Sequence, residues 1–521
     1  MRATALSTPD TQLSALTQTQ LIEMVQSLQH RLAWFERQLF GTKSERLRVL
    51  ENERQLSLGE IICPPAPEAL AKARVVAAHT RGVAQRDAAA LGEAESVPFF
   101  DEARVPVTTI QVPDPELPGV PSDQIEIIGE KISYRLAQRP GSYVVLKYVR
   151  SVLKRRDTQQ IRCAPAPQGV IEGSRADVSF IAGLLVDKFL YHLPLYRQHQ
   201  RLTDSGLRLT RPWLTQLVQQ GVGLLEPIYA AQLDSIRASR VKTMDETPIK
   251  AGRTGHGKMK TAYFWPIYGE RDEVCFPYFP SRAHQHVRSA LGLTPLPGSV
   301  LLSDGYAAYA SYTQKVGVTH AECWSHARRE LFEAQAMEPD RVREALQQIA
   351  AIYAIEQDIR ERKLTGEPKR LHRLTHSKPR VEVFFDWVER QLQDQGLLPS
   401  NPFTKALGYV RNRRAQLQVF LTDADVPIDT NHLERALRVI PMGRKNWNFC
   451  WTELGAEHVG IMQSLLVTCR LHDINPYDYL VDVLQRVGLH PAARVAELTP
   501  RLWKQHFVAS RLRSALHTLS V

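Results

Sequence analysis

Cysteine is scarce in this sequence. The 521 residues contain six cysteines, and no two of them form a Cys-x-x-Cys pair: Cys63, Cys163, Cys275, Cys323, Cys450 and Cys469. Disulfide frameworks and paired-cysteine zinc sites need cysteines at short, repeated spacings. The sequence therefore predicts reduced, mostly structural thiols and no zinc site.

Long apolar runs are missing as well. No stretch approaches the roughly 20 apolar residues that a membrane-spanning helix requires. The polar start Met1-Arg2-Ala3-Thr4 leads into no hydrophobic region of the kind found in signal peptides. No membrane segment is expected, and the sequence predicts a cytoplasmic protein.

Acidic residues are outnumbered by basic ones. Lys and Arg total 66 against 55 Asp and Glu, which gives a formal net charge of +11. This balance favours a polyanionic partner, although an ordinary basic enzyme has the same balance. Hydrophobic residues make up 43% of the chain and charged residues 23%, which is typical of folded globular proteins.

The N-terminal third is predicted to contain three regions. Residues 1–57 form a helical region whose apolar residues alternate spacings of four and three, at Leu21, Val25, Leu28, Leu32, Phe35 and Leu39. This heptad pattern predicts a self-associating coiled coil, with a helix packed on its own chain as the alternative. Residues 58–96 are predicted to be a linker, and residues 97–177 a small β-rich unit with strands near 105–112 and 142–149.

Helical patterns follow in residues 178–238. A helix at 196–202, a turn at 204–206 and a helix beginning near Thr210, the predicted N-cap, have the order of a helix-turn-helix. Arg208 and Arg211 are the DNA-contacting candidates in that interpretation. Two short helices of an ordinary helical domain are the alternative. Residues 456–521 are also predicted to be helical.

Strands and helices alternate in residues 239–455. Strand candidates lie at 241–249, 262–268, 274–279, 300–303 and 319–323. Three strands followed by strand-helix alternation is the order of a ribonuclease-H-like core. The predicted fold class is therefore α/β, a mixed sheet flanked by helices, with a helical insertion at about 330–425.

Three acids fall where such a core would gather them. Asp245 follows the first strand, Asp304 follows the fourth strand, and Glu434 lies in a late helix candidate. Converging carboxylates bind hard divalent cations, and two such ions can activate one oxygen and stabilise another during phosphodiester cleavage. Any one acid alone is equally compatible with an ordinary surface position, so the prediction depends on all three in order.

The sequence resembles the transposases of the IS66 family from about residue 20 to about residue 503. The matching segments occur in order at 37–46, 187–198, 245–248, 303–306, 323–329, 428–438 and 443–447. The resemblance implies that Asp245, Asp304 and Glu434 hold Mg²⁺ or Mn²⁺, as two ions. It also implies DNA cleavage at the ends of an insertion element, followed by attack of the freed 3′-hydroxyl on target DNA.

Further residues are candidates for DNA contact. Arg438, Arg444 and Lys445 are predicted to touch the backbone of transposon-end DNA, and Trp447 offers a ring to a base. A solvated basic helix end is the alternative for these residues. His326 is interpreted either as a proton-transfer or phosphate-contacting residue, or as a structural histidine.

Two departures from the family pattern matter. Family members commonly carry paired zinc-binding cysteines before the catalytic domain, whereas residues 97–165 contain only Cys163, so zinc is not expected. The family's Asp-Asn-Asn sequence before the last acid is Asp429-Thr430-Asn431 here. The departure removes one amide and leaves Glu434 in place.

The resemblance implies transposon-end DNA and target DNA as partners, a homo-oligomer, small accessory proteins encoded by the same element, and association with the nucleoid. Two alternatives stay open. One is a related ribonuclease-H-like nuclease that cuts DNA without joining it. The other is a transposase-derived DNA-binding regulator that has no catalytic activity.

Overall fold

The computed structural model describes residues 99–102, 105–112, 125–139, 141–156, 159–255, 258–393 and 399–518. The chain divides into two compact units, 1–101 and 102–521, and every element described below lies in the second. The predicted coiled coil with its stripe from Leu21 to Leu39, and the predicted linker at 58–96, lie outside the described residues.

A four-stranded sheet begins the second unit. Its strands are β1 (Val107–Gln111), β2 (Ile125–Arg139), β3 (Ser142–Arg155) and β4 (Ile161–Cys163). The order is β1-β3-β2, with β4 also paired to β3, and β2 and β3 form a long antiparallel hairpin. The strands predicted near 105–112 and 142–149 are confirmed. The sequence did not predict β2. Gly129 and its charged neighbours have low β-propensity, so this part of the strand forms because it pairs with β3.

Three helices follow this sheet. They are α1 (Val178–Leu185), which continues into a π-helical turn (Val186–Leu190), α2 (Leu195–Asp204) and α3 (Arg211–Arg237). The side chain of Asp177 caps α1 by accepting a hydrogen bond from the Ser179 amide at 2.9 Å. Thr210 occupies the predicted N-cap position of α3, although its side chain makes no capping hydrogen bond there. Trp213 instead anchors the start of α3 by stacking on Phe180, with ring centroids 6.0 Å apart.

The next part of the chain forms two further sheets. Their strands are β5 (Val241–Met244), β6 (Thr247–Gly255), β7 (Lys258–Phe264), β8 (Ile267–Gly269), β9 (Glu273–Cys275), β10 (Tyr278–Phe279), β11 (Val300–Ser303) and β12 (Thr319–Glu322). The five-stranded sheet has the order β12-β11-β5-β8-β9. In it β5, β11 and β12 are parallel, while β8 and β9 are antiparallel to their neighbours. The other sheet is antiparallel, in the order β10-β7-β6.

The predicted strands 241–249, 262–268 and 274–279 are each broken in two, which corrects the sequence prediction. The three breaks lie side by side across neighbouring strands, because hydrogen bonds join them. The Asp245 amide donates to the Pro266 carbonyl at 3.2 Å, and the Trp265 amide donates to the Pro277 carbonyl at 2.9 Å. A proline has no amide hydrogen to continue a ladder. The sheet consequently divides along this line, and Asp245 lies at the fork between the five-stranded and three-stranded sheets.

Nine helices accompany the second half of this region, counted over the residues that the structure describes. They are α4 (Gln285–Leu291), α5 (Ala307–Val316), α6 (Trp324–Glu333), α7 (Pro339–Glu361), α8 (Gly366–His372), α9 (Lys378–Leu392), α10 (Pro402–Asn412), α11 (Arg414–Leu417) and α12 (Val419–Thr422). The helices α6, α7 and α9 to α12 share one apolar core, which includes Trp324, Ile352, Phe384 and Phe403. We refer to α7 to α12 as the helical array.

A buried ion pair lies inside the helical array. Arg373, which is fully buried, donates to both carboxylate oxygens of Glu356 at 2.8 and 2.7 Å. Its remaining amino group donates to the carbonyls of Phe420, Asp423 and Val426 at 2.8, 3.1 and 3.0 Å. Because the charges and the donors are satisfied together, this pair links α7 to the end of α12.

Helices complete the fold. They are α13 (Asn431–Leu437), α14 (Val439–Trp447), α15 (Glu453–Leu471), α16 (Pro476–Arg486), α17 (Pro500–His506) and α18 (Ala515–Thr518). Buried α15 packs so closely on the sheets that a Cβ at Gly460 would lie 2.3 Å from the Phe276 carbonyl. Gln232 of α3 joins these layers by donating to the carbonyls of Val274 and Ser464 at 2.8 and 3.1 Å. No described helix combines the length and apolar character needed to cross a membrane.

Candidate active site

The first two acids follow the ends of neighbouring parallel strands. Leu302 of β11 is in register with Thr243 of β5, so continuing that register by two residues brings Asp304 level with Asp245. Each carboxylate is oriented by a nearby backbone amide. Asp245 accepts from Glu246 at 2.7 Å, and Asp304 accepts from Tyr306 at 3.0 Å. The strand ends therefore deliver both acids to one edge of the five-stranded sheet.

Glu434 reaches the same region from the first turn of α13. The helix is attached to the sheet by His432, whose Nε2 lies 3.0 Å from the Thr243 hydroxyl of β5. Thr430 donates to Glu434 Oε1 at 3.3 Å, and the Glu434 side chain is 28% exposed. Arg329 lies 3.8 Å from Glu434 Oε2, which is a long contact for an ion pair. Glu434 thus remains available at the surface of the site.

Thr430, the residue that departs from the family pattern, has a structural role. Its hydroxyl lies 3.3 Å from the Cys323 sulfur, and its amide donates to that sulfur at 3.3 Å. Burial raises the pKa of Cys323 to about 11, so the thiol is neutral. The contact fastens the segment before Glu434 to the end of β12, and it assigns a structural position to Cys323.

The three acids influence one another electrostatically. Burial raises the pKa of Asp245 to about 7, and the charges of Glu246, Asp304 and Glu434 act in the same direction, against the Glu246 amide. Among the described residues, neither Asp245 nor Asp304 forms an ion pair with a basic side chain. Acids held together without a cationic side chain are stabilised by a bound divalent cation.

The donor set fits a hard cation by its chemistry. Carboxylate oxygens are the ligands preferred by Mg²⁺ and Mn²⁺. In the ranges that the structure describes, no three His, Cys, Asp or Glu side chains are already arranged as a metal-binding cluster. The fit therefore concerns the type of donor and the position of each acid, and it includes no measured coordination geometry.

His326 also belongs to this region. It lies in the first turn of α6, where burial lowers its pKa, the charges of Asp304 and Glu434 oppose that effect, and the charge of Arg329 adds to it. Its Nδ1 is buried and has no hydrogen-bond partner among the described residues. The structure thus brings His326 to the acids, and both interpretations of its role stay predictions.

Glu246 is an acid of the site that the sequence did not distinguish from its neighbour Asp245. Its side chain is only 4% exposed. Arg282 donates to its Oε1 at 2.7 Å, and the Tyr309 hydroxyl donates to its Oε2 at 2.5 Å. The Arg282 guanidinium also lies 4.3 Å from the ring centroid of Tyr306. These partners are 36 and 63 residues away along the chain, so no local signal could have identified them.

The helical array reaches the loop after Asp304, a contact that sequence reasoning missed. Arg413 donates to the Gly305 carbonyl at 3.1 Å and stacks on Tyr409 at 3.8 Å. Its Nε lies 2.8 Å from a carboxylate oxygen of Glu322, although these atoms are not aligned for a hydrogen bond. A Cβ at Gly305 would meet the Tyr409 hydroxyl at 2.6 Å, so this loop needs glycine.

The predicted basic residues after Glu434 differ in their surroundings. Arg438 is exposed at the junction of α13 and α14, because the helix of Glu434 ends at Leu437. Arg444 donates to the Pro248 carbonyl at 2.6 Å. Lys445 is exposed, whereas the half-buried Trp447 packs on its own helix, 2.7 Å from where a Cβ at Gly443 would lie.

The two arginines of the predicted helix-turn-helix are at the surface. Arg208 is exposed between α2 and α3, and Arg211 is the exposed first residue of α3. The Arg211 guanidinium lies 5.5 Å from the ring centroid of Tyr196 on α2. The order helix, turn, helix is present, and contact with DNA stays a prediction.

Known proteins similar to this chain give a consistent family assignment. Three curated proteins of Sinorhizobium fredii (strain NBRC 101917 / NGR234) align with nearly its whole length. The uncharacterized protein y4hP is 28% identical over 94% of this chain and 91% of its own length. The uncharacterized proteins y4jD and y4qI are 27% and 26% identical, over 93% and 92% of this chain and 96% and 89% of their own lengths.

Three family models match successive parts of the chain. Residues 27–94 match the model described as Transposase C of IS166 homeodomain, and residues 464–501 match the IS66 C-terminal element. Residues 173–458, which include all three acids, match the model of the transposase IS66 family. Because that last match covers more than half of the 521 residues, the chain belongs to the IS66 transposase family.

Proposed function

We propose that this protein is a transposase of the Asp-Asp-Glu type, which cleaves DNA at the ends of an insertion element and joins the freed ends to target DNA. Asp245, Asp304 and Glu434 are the catalytic acids. One observation supports the proposal: Asp304 and Glu434, which come from separate elements, act electrostatically on Asp245, and the two aspartates have no basic partner among the described residues.

The core of the proposal is a ribonuclease-H-like domain. Its support is the strand order β12-β11-β5-β8-β9. In chain order, the first, fourth and fifth strands of this sheet (β5, β11 and β12) are parallel to one another, while the second (β8) pairs antiparallel with β5 and the third (β9) pairs antiparallel with β8. In this sheet the acids follow the first and fourth strands. The helical array then lies between the fifth strand and the helix that carries Glu434.

Asp245, Asp304 and Glu434 would hold Mg²⁺ or Mn²⁺, as two ions. When bound, such ions activate an attacking oxygen and stabilise the leaving oxygen of a phosphodiester. The chain itself orients Asp245 and Asp304 through backbone amides. It also places the Arg282 guanidinium, 47% exposed, beside the acids, where it attracts a phosphate. The charges of Asp304 and Glu434 act on His326, which makes it the candidate for proton transfer in this site.

DNA is the proposed partner, both as transposon end and as target. The homeodomain description of the model that matches residues 27–94 and the net charge of +11 support it. Exposed Arg438 and Lys445 are proposed to contact the end backbone. Homo-oligomerisation through residues 1–57, small accessory proteins of the same element, and a nucleoid-associated place in the cytoplasm remain parts of this proposal.

The test is a joining assay with duplex DNA that carries the terminal inverted repeat from beside the gene. With Mg²⁺ or Mn²⁺, the wild-type protein should cut this duplex and transfer the labelled 3′ end to a target plasmid. Asp304→Asn should do neither, and Glu344→Gln, which changes an exposed acid of α7, should do both. Cutting without joining would indicate a nuclease. Binding without cutting would indicate a regulator and overturn the proposal.

A further inference from the structure

The two chain segments that leave the acid site run side by side. β6 begins two residues after Asp245, and the segment 448–451 follows α14, the helix next to that of Glu434. The Cys450 amide donates to the Lys250 carbonyl at 2.8 Å, and the Gly252 amide donates to the Cys450 carbonyl at 3.2 Å. A parallel bridge between Ala251 and Cys450 joins them. Both segments therefore extend away from the acids as one ribbon.

This ribbon displays cations next to an exposed aromatic ring. We define the basic ribbon as Lys250, Arg253 and Trp451. The Arg253 guanidinium lies 4.6 Å from the centroid of the Trp451 ring, and Trp451 is 47% exposed. Lys250 is exposed and donates to the Thr261 hydroxyl at 2.6 Å. No described acid forms an ion pair with Lys250 or Arg253.

The acid that packs against Gly252 does not cancel the positive charge of the basic ribbon. Glu453 lies against Gly252, where a Cβ would be 3.1 Å from its Cγ, but its carboxylate pairs with Lys260 at 3.0 Å. The ribbon thus keeps a net positive charge. An arginine held against a half-exposed tryptophan is a stacking platform, and platforms of this kind bind bases while nearby cations bind phosphates.

We propose that the basic ribbon binds DNA beside the scissile phosphate, with Lys250 and Arg253 on the backbone and Trp451 against a base. From Thr247 to Arg253 the strand covers about 20 Å at about 3.3 Å per residue. This length corresponds to about six nucleotides at 3.4 Å of rise. The position relative to the scissile phosphate rests on the proposed function, whereas the binding itself rests on the charge and the ring.

The test measures binding in EDTA, so that no cleavage is needed. The probe is a fluorescein-labelled duplex carrying the terminal inverted repeat. Trp451→Ala should weaken binding about fivefold or more, because loss of one base stack costs roughly 1–3 kcal/mol, and Trp451→Phe should retain most of it. Arg253→Ala should weaken binding and make the salt dependence shallower by about one counterion. Arg380→Ala, which removes an exposed arginine of α9, is the matched control.

Crosslinking fixes the position of the contact. With 5-iodouracil placed at successive nucleotides of the probe, crosslinks to Trp451 should appear only within about six nucleotides of the cleavage position. The proposal is overturned if Arg253→Ala and Trp451→Ala both bind like Arg380→Ala, or if the crosslinks lie elsewhere. If the wild-type protein does not cleave but the two variants still lose affinity, the proposed function fails and the DNA-binding ribbon stands.

Discussion

Glu356 in the helical array and Asp245 at the sheet edge are both withdrawn from water, but their surroundings are opposite. Both oxygens of Glu356 receive hydrogen bonds from the buried Arg373. Asp245 receives one backbone amide and has three acids for neighbours, Glu246, Asp304 and Glu434. A buried acid that serves stability is given its countercharge inside the chain. The difference supports the proposal that a cation from outside the chain supplies the countercharge of Asp245.

Burial is therefore not what marks the candidate catalytic acids. Glu246 and Glu322 lie next to them and are also enclosed, with side chains 4% and 8% exposed, yet each contacts an arginine, Arg282 and Arg413 respectively. Asp304 has neither arginine as an ion-pair partner. Within one site, the two acids held by an arginine support the loops, and the two aspartates without one are those proposed for the chemistry.

The largest effect on stability is expected for Glu356→Gln. The amide keeps the size of the side chain but leaves the Arg373 charge buried without a counterion, which costs about 3–5 kcal/mol of unfolding free energy. Urea denaturation of the wild type and the variant at neutral pH measures this. A loss below about 1 kcal/mol would show that the ion pair does not stabilise the fold. Glu356 would then no longer be an example of a buried acid that serves stability.

Arg413→Ala should have the next largest effect. Glu322 loses its countercharge and the Gly305 carbonyl loses its donor, which together cost about 2 kcal/mol at pH 8. Because the Gly305 loop carries Asp304, the rate of DNA cleavage should fall as well, with end binding unchanged. Arg411→Ala removes an exposed arginine two residues earlier, in the last turn of α10, and should change neither. Equal cleavage rates for the two variants would show that the contact of the helical array with the Gly305 loop does not affect cleavage.

Asp245→Asn should stabilise the protein at pH 8 in EDTA by at least about 1.4 kcal/mol, the equivalent of one unit of pKa shift. In the unfolded chain this carboxyl ionises near its ordinary pKa of about 3.9, whereas burial raises its pKa in the folded protein to about 7. Between these values the folded state binds more protons, so wild-type stability falls as the pH rises. The gain should therefore grow from about pH 4 to about pH 7. Melting temperatures across this range test it, and a destabilised variant at pH 8 would contradict it.

The smallest effect is expected at the exposed ion pair of α8. Arg370 donates to Glu367 at 2.7 Å, but both side chains face water, as their exposed fractions of 36% and 60% show. Glu367→Gln should leave the urea concentration at the unfolding midpoint unchanged, because water screens an exposed pair. It is the matched control for Glu356→Gln, and similar losses in both variants would mean that burial does not decide what an ion pair contributes.

The positions of the first two acids were predictable because they depend on local patterns. Short apolar runs such as Val300–Ser303 define strands. A polar residue directly after a strand lies at the edge of the sheet where that strand ends. The order of the segments then assigned Asp245 and Asp304 to one edge. The third acid followed from its place in the chain order and from the family resemblance.

The fork of the sheet and the pairing of the other acids were not predictable. The fork exists because Pro266 and Pro277 accept hydrogen bonds from amides in neighbouring strands, which only the register reveals. Glu246 and Asp245 are adjacent in sequence, and the residue that separates their roles is Arg282, brought from another segment by the fold. Trp447 was expected to be available to a base, and it packs instead on Gly443 of its own helix.

The central claim is that Asp245, Asp304 and Glu434 serve the chemistry and not DNA binding. The most direct test measures, on one terminal-repeat duplex with Mn²⁺, both the single-turnover cleavage rate and the dissociation constant of Asp245→Asn, Asp304→Asn and Glu434→Gln. Cleavage should be lost in all three. Binding should be unchanged or slightly tighter, because each variant removes a negative charge near a phosphate. Cleavage by Glu434→Gln at the wild-type rate, or a parallel loss of binding in all three, would contradict the account.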